Sequence, residues 1–360
     1  MSRPEIVDPL AEPDVAVRQP LRIGRPIPIR VGHGHLALLS FPDGSYRVLG
    51  PGSHELPAPP SEICWMSMRP VEATCVLPAT EARTEDGYCV GLLCRLALAV
   101  WEPKALRDAL GDRMSLGEGE LKSMAVGLAR EALAKALLAT RSGEVGGRLF
   151  EAYLRHWVNV ALGPVGLRAR RLKVEALAKL GPVSRPEDLL ELLRGSFRPP
   201  VDPEREKELR RKARMVRERP WLLAKPLDPN WASEWRAFWA GMAEDLMWAR
   251  GKFLLRPGDL SDVEPFSSLR PEWREEVFEV LRGSVGSRLD AAFSREILRR
   301  FSSSLAQWAR ENGLFELDLA MLEEILGLEA DEALAVLEEL VWAGACSWLE
   351  KGKSAVLKLG

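Results

Sequence analysis

Between Tyr88 and Trp101 the chain places an apolar or amphipathic side chain at every second position. Tyr88, Val90, Leu92, Cys94, Leu96, Leu98 and Val100 hold the even positions, while the odd positions are mixed and include Arg95. Only an extended backbone gathers alternate residues on one face, so the pattern predicts a long central strand with one side in a core.

Shorter strand signals precede it. His35 to Phe41 is an apolar run that ends at the turn Pro42-Asp43-Gly44, and Tyr46 to Leu49 resumes it as a hairpin partner. Ile63–Met68 and Val71–Leu77 read as further strands, and Glu85-Asp86-Gly87 turns the chain into the long one. The period then changes. Pro103 opens a helical pattern, as proline does in a first turn. Leu121 to Ala139 and Gly143 to Val160 carry apolar residues at helical spacing, and Leu172, Val174 and Ala176 alternate with charged residues as a returning strand. Strands, then helices, then a strand back to the sheet is the order of an α+β fold.

Several pieces of this half share an order with a known family. They are Gly44, Pro51-Gly52-Ser53-His54, Thr84-Glu85-Asp86-Gly87-Tyr88-Cys89-Val90, the strand exit Trp101-Glu102-Pro103, and Leu162-Gly163-Pro164-Val165-Gly166-Leu167 before a charged alternating strand. Together they resemble the SPFH, or band 7, domain of stomatins, prohibitins and flotillins over about residues 22–180. The resemblance implies an SPFH-like antiparallel sheet with packed helices, in a homo-oligomerising scaffold module without an active site. The chain departs from that family in two respects. No hydrophobic anchor is read at its N-terminus, and no long Ala/Glu-rich coiled helix follows the domain.

The domain expectation is therefore a disordered arm at 1–21, rich in acids and prolines, then the SPFH-like domain at 22–180. A Pro-rich linker at 181–230 follows, because its prolines rule out one continuous helix. It holds one charged helix, Glu204 to Arg219. Residues 231–311 read as a helical region. Residues 312–360 read as helix (Leu317–Leu326), turn, helix (Asp331–Trp342) and a hairpin of Ala345–Leu349 with Ser354–Leu359, which resembles a winged helix.

Two surfaces carry candidate membrane or partner contacts. The charged helix contains Arg210, Arg211 and Arg214 among eight basic residues and four glutamates. Such a helix can lie on anionic lipid, but its apolar stripe is thin and a solvated helix is the first reading. Trp231, Trp235 and Trp239 recur at helical spacing. An indole stripe suits a membrane interface, and it equally suits the packed side of a helix, which ranks first.

Other motifs are set aside. Gly32-His33-Gly34-His35-Leu36-Ala37 matches a dinucleotide fingerprint, but no helix fits before the turn at Pro42, so no phosphate-facing helix N-terminus is available. His33, His35 and His54 lack a further ligand at metal-site spacing. No nucleophile elbow, phosphate loop or zincin motif occurs, so neither catalytic residues nor a cofactor nor a metal is expected. The helix after the turn in the winged-helix-like tail carries Asp331, Glu332, Glu338 and Glu339 and no basic residue, which makes nucleic acid an unfavoured partner.

Composition adds exclusions. With 28% charged residues and a net charge of −2, no global field favours an anionic partner. Five cysteines without a CxxC pair suggest buried thiols in a reducing compartment. The expectation is a cytoplasmic, non-enzymatic, homo-oligomeric scaffold with protein partners. Attachment to the inner face of a membrane is the alternative, and nucleic-acid-binding regulation a further one.

Overall fold

The strand expected at Tyr88 to Trp101 is the middle of a sheet. In the computed structural model, residues 6–9, 14–21, 28–56, 58–184, 188–285 and 291–358 are described, and the chain divides into two units, Met1–Leu189 and Leu190–Gly360. The fold is mixed α+β: antiparallel sheets first, then a mostly helical region with small sheets towards the C-terminus.

The first unit contains β1 (Ile6–Val7), β2 (Asp14–Pro20), β3 (Ile29–Val31), β4 (His35–Ser40), β5 (Tyr46–Leu49), β6 (Gly52–His54), β7 (Glu62–Ser67), β8 (Val71–Leu77) and β9 (Tyr88–Val100). They are followed by α1 (Pro103–Leu110), β10 (Ser115–Gly117), α2 (Glu118–Leu138), α3 (Gly147–Leu162) and β11 (Leu167–Pro182). These strands form three sheets, ordered β1-β3-β6, β10-β2-β7-β4-β5 and β11-β9-β8.

The apolar runs in β4 and β7 do not alternate with polar residues because both faces of their sheet are covered. Leu36, Leu38, Cys64 and Met66 face the main core, and Ala37, Leu39, Ile63 and Trp65 face a smaller one with Ile29, Val31, Leu49 and Leu56. The main core joins Val90, Leu92, Cys94, Leu96 and Leu98 of β9 to α2 and α3. On α3 the buried residues are Phe150, Leu154, Val158 and Leu162, one per turn; on α2, Ala125, Ala129, Ala132 and Ala136 share the packed side with Leu121, Leu133 and Leu137. A leucine-to-alanine change at Leu92 or Leu96, each fully buried, costs about 2–5 kcal/mol.

The first expectation to change is the arm. Asp14–Pro20 is a strand, paired with β7 from Ala16↔Met66 to Pro20↔Glu62, and Ile6–Val7 pairs in parallel with β3. Arg18 binds Glu62 through Nη2 at 2.6 Å and Nε at 3.1 Å. Residues 1–5 and 10–13 of the expected arm, like Leu359 of the expected hairpin, lie outside the described residues. The returning strand is also longer than expected, because bulges at Ala169/Arg171, Val174/Ala176 and Leu180/Pro182 shift its alternation.

Helix α4 (Asp188–Leu193) crosses the boundary between the units. The second unit holds α5 (Pro203–Glu218), α6 (Pro229–Arg250), β12 (Leu254–Leu255), α7 (Pro257–Ser261), α8 (Pro271–Val285), β13 (Ala292–Phe293) and α9 (Arg295–Glu311). It ends with β14 (Glu316–Asp318), α10 (Leu319–Leu326), α11 (Ala330–Trp342), β15 (Cys346–Glu350) and β16 (Ser354–Leu357). An order of helix, strand, helix, helix, strand occurs twice, from α6 to β13 and from α9 to β15.

The Pro-rich linker expected at 181–230 is largely packed structure. Pro203 and Pro229 open α5 and α6 at the first turn, where a missing N–H costs nothing. Asp202 and Asp228 precede them as N-caps, accepting from Glu204 N and Asn230 N at 3.0 and 2.9 Å. The boundary expected at 311/312 also falls inside a packed group, since α9 packs against α11.

Candidate functional site

Part of the basic surface expected on α5 is paired within the helix itself. Lys207 pairs with Glu204 at 2.6 Å, Arg211 with Glu208 at 2.6 Å, and Arg210 with Glu206. The Glu208 carboxylate holds the exposed Arg211 guanidinium above its usual range. On the inner side, Arg205 and Lys212 reach Asp245 of α6 at 3.0 and 2.6 Å. Arg214 is exposed. The three candidate arginines therefore face solvent, and two of them are already engaged with glutamates.

The three tryptophans do not share one surface. Trp235 and Trp239 are buried, and both indoles donate to the Leu222 carbonyl, at 2.8 and 3.2 Å. Trp235 meets Trp273 edge-on, and Trp239 meets Phe266 in the same manner. Buried, hydrogen-bonded indoles stabilise a core and cannot reach a membrane without unfolding it. Trp231 alone of the three is exposed, at 67%. Beside this cluster Glu276 of α8 accepts from Lys225 at 2.6 Å and from Arg236 at 2.5 Å. The Lys225 hydrogen bond, against some opposing burial and with help from Arg236, holds its carboxyl below the usual range.

A groove of about 690 Å³ runs between α9 and α11 of the second unit, lined by Phe293, Leu298, Arg299, Ala335, Glu338 and Trp342 among others. Trp342 is 82% exposed. Of the acids expected on α11, Asp331 is bound to Arg256 at 3.0 Å and Glu332 caps the helix through Glu329 N at 3.0 Å.

The histidines are individually occupied or at a turn. His35 Nδ1 lies 2.7 Å from Asp8 Oδ2, His54 Nε2 lies 2.8 Å from the Gly50 carbonyl, and His33 sits in the turn between β3 and β4. The Gly32 to Ala37 segment enters a strand and opens no helix. Among the described residues no cluster of three or more histidine, cysteine or carboxylate groups could hold a metal, and no helix is long and apolar enough to cross a membrane. All five cysteines are buried and unbridged. Burial pushes the Cys64 and Cys346 thiols up to about 12. No protein-family model matches the chain, and no curated protein matches it.

Two arrangements had no sequence signal. Asp245 is one acid among many until α5 is seen to lie on it. Trp101 meets Arg168 only because β11 returns beside β9, and Arg155 reaches the Arg170 carbonyl from α3.

Proposed function

We propose that the protein is a non-enzymatic, homo-oligomerising scaffold of the SPFH, or band 7, type. The observation that carries this reading is the element order of the first unit. After three helices, β11 returns along β9 from Leu167↔Val100 to Pro182↔Tyr88, so the family-like motifs at either end, Thr84-Glu85-Asp86-Gly87 and Leu162-Gly163-Pro164-Val165-Gly166, sit at the two ends of one strand pair. The second unit contributes partner contacts. Its last elements, α9 to β16 with a sheet ordered β14-β16-β15, suit a winged-helix-like module. Four acids and no base on α11 turn such a module towards protein and away from phosphate. Burial of Trp235 and Trp239 withdraws two of the three indoles from the surface, which weighs against the tryptophan stripe as one motive for the membrane alternative.

Sedimentation equilibrium of the full chain tests the reading. Closed assemblies of defined stoichiometry are expected, as homo-oligomers favour point-group symmetry. A strict monomer at tens of micromolar would overturn it.

A further inference from the structure

Where β9 leaves its sheet and β11 enters, a hollow of about 230 Å³ is lined by Trp101, Arg155, Asn159, Arg168 and Arg170. Three arginines are brought to it by separate local features. Arg168 stands opposite Ala99 in the ladder, and its guanidinium carbon lies 4.4 Å from the centre of the Trp101 ring. Arg170 is the extra residue of the bulge between Ala169 and Arg171, and a bulge re-aims a side chain away from the regular alternation. Arg155 arrives from α3, with Nη1 3.4 Å from the Arg170 carbonyl.

The backbone of this corner is fixed. One turn after Arg155, Asn159 Oδ1 accepts the Ala169 N–H at 2.7 Å and its Nδ2 faces the Ala169 carbonyl at 3.4 Å. The bulge is thus held by a side chain dedicated to it.

The lining of the hollow includes three arginines and no carboxylate. Arg18, Arg95, Arg107 and Arg141 each have a carboxylate partner. Among the described residues, Arg155, Arg168 and Arg170 have none within ion-pair distance. Three cations around one small cavity repel one another unless an anion lies between them. Guanidinium is planar and offers paired N–H donors, which match phosphate oxygens better than a point charge does.

We propose that this hollow binds a phosphate monoester, with Arg155, Arg168 and Arg170 as donors to the phosphate oxygens and Trp101 flanking the group it is attached to. A monoester carries about −1.5 to −2 charges at pH 7, which three guanidinium groups offset. The same chemistry is offered by a small soluble phosphomonoester and by the headgroup of phosphatidic acid. The site does not depend on the scaffold reading.

The test uses the full-length chain and a double variant, Arg168→Gln with Arg170→Gln. Both side chains are exposed, so the fold is retained and circular dichroism verifies it. Glycerol 3-phosphate is titrated by calorimetry. Vesicles of phosphatidylcholine, with and without phosphatidic acid, are co-sedimented with each protein. Saturable binding of glycerol 3-phosphate, weakened at least tenfold in the double variant, supports the site with a soluble ligand. Co-sedimentation that requires phosphatidic acid and falls in the variant supports it with a lipid headgroup. Loss of a ligand-induced fluorescence change in Trp101→Phe places either ligand at this corner. Absence of binding to both probes, or equal binding by the two proteins, overturns the proposal.

Discussion

The Lys212 ammonium lies 2.6 Å from Asp245, a carboxylate with no exposure to solvent. Arg205 approaches the other oxygen of Asp245 at 3.0 Å, but its own side chain is 47% exposed. Lys212→Met leaves a buried charge with one half-solvated partner. Removing a partner from a fully buried pair costs about 3–5 kcal/mol, and the remaining arginine lowers that here to about 2 kcal/mol. Lys207→Ala, on the solvent side of α5 where water screens its pair with Glu204, leaves stability nearly unchanged. Urea unfolding of the two variants checks the contrast. Equal, negligible effects would mean that α5 is the unpacked linker helix the sequence suggested.

Glu62 makes the first unit acid-sensitive. Burial pushes its carboxyl up, but hydrogen bonds from Arg18 and Arg107 and their charges outweigh it, so it sits below the ordinary range. A carboxyl depressed on folding stabilises the folded state above its unfolded value, about 4.3. That stability is lost as pH falls from there through the folded value. The urea midpoint of the wild type should therefore drop more steeply between pH 6 and pH 3 than that of Glu62→Gln. Parallel curves would show that the Arg18–Glu62–Arg107 group contributes nothing to acid stability.

Gly166 joins α3 to β11 at φ +72°. A Cβ there would overlap the Glu102 carbonyl oxygen and the Leu106 amide, both main-chain atoms that cannot swing aside. Gly166→Ala is expected to cost more than about 3 kcal/mol, well beyond the typical surface substitution. Gly44→Ala, also at positive φ but with open space around its Cβ position, should cost only about 1 kcal/mol. Thermal unfolding of the pair separates close approach from backbone strain.

The legible parts of the fold were those whose signal is local. The alternation in β9 and the helical stripes of α2 and α3 need no distant partner to be recognised. The arm failed because Asp14–Pro20 becomes a strand only by pairing with Glu62–Ser67, far along the chain. The start of β11 failed because its bulges put Ala169 and Leu172 in the core, three residues apart instead of two. Prolines at helix starts look like linker punctuation until the N-caps before them are seen. At the candidate sites, spacing identified the tryptophan stripe but could not say which indoles were covered. That depends on Leu222, Phe266 and Trp273, which belong to other elements.

The cysteines should behave as core residues. Burial raises the thiols of Cys64 and Cys346 to about 12 and pushes Cys94 up as well. At neutral pH almost no thiolate is present to attack a disulfide reagent. Native protein should give no rapid reaction with an aromatic disulfide reagent, and all five thiols should appear together on denaturation. Rapid titration of even one thiol in the native state would mean that its covering elements open readily.

The edge of the β11-β9-β8 sheet offers the sharpest test of the proposed assembly. Among the described residues no strand pairs with the outer side of β11, and exposed edges favour pairing with another chain. Its first half is already occupied by α3: Asn159 takes the Ala169 N–H, and Glu151 Oε1 takes the Val174 N–H at 2.9 Å. Strand addition from a second copy is thereby confined to 175–182. Hydrogen exchange should show the Ala169 and Val174 amides protected at every concentration. Outward amides between 175 and 182 should become protected only as the protein assembles. Assembly without any change in that stretch would move the interface off this edge, and Asn159→Ala should then leave the assembled fraction unchanged while still releasing the Ala169 amide.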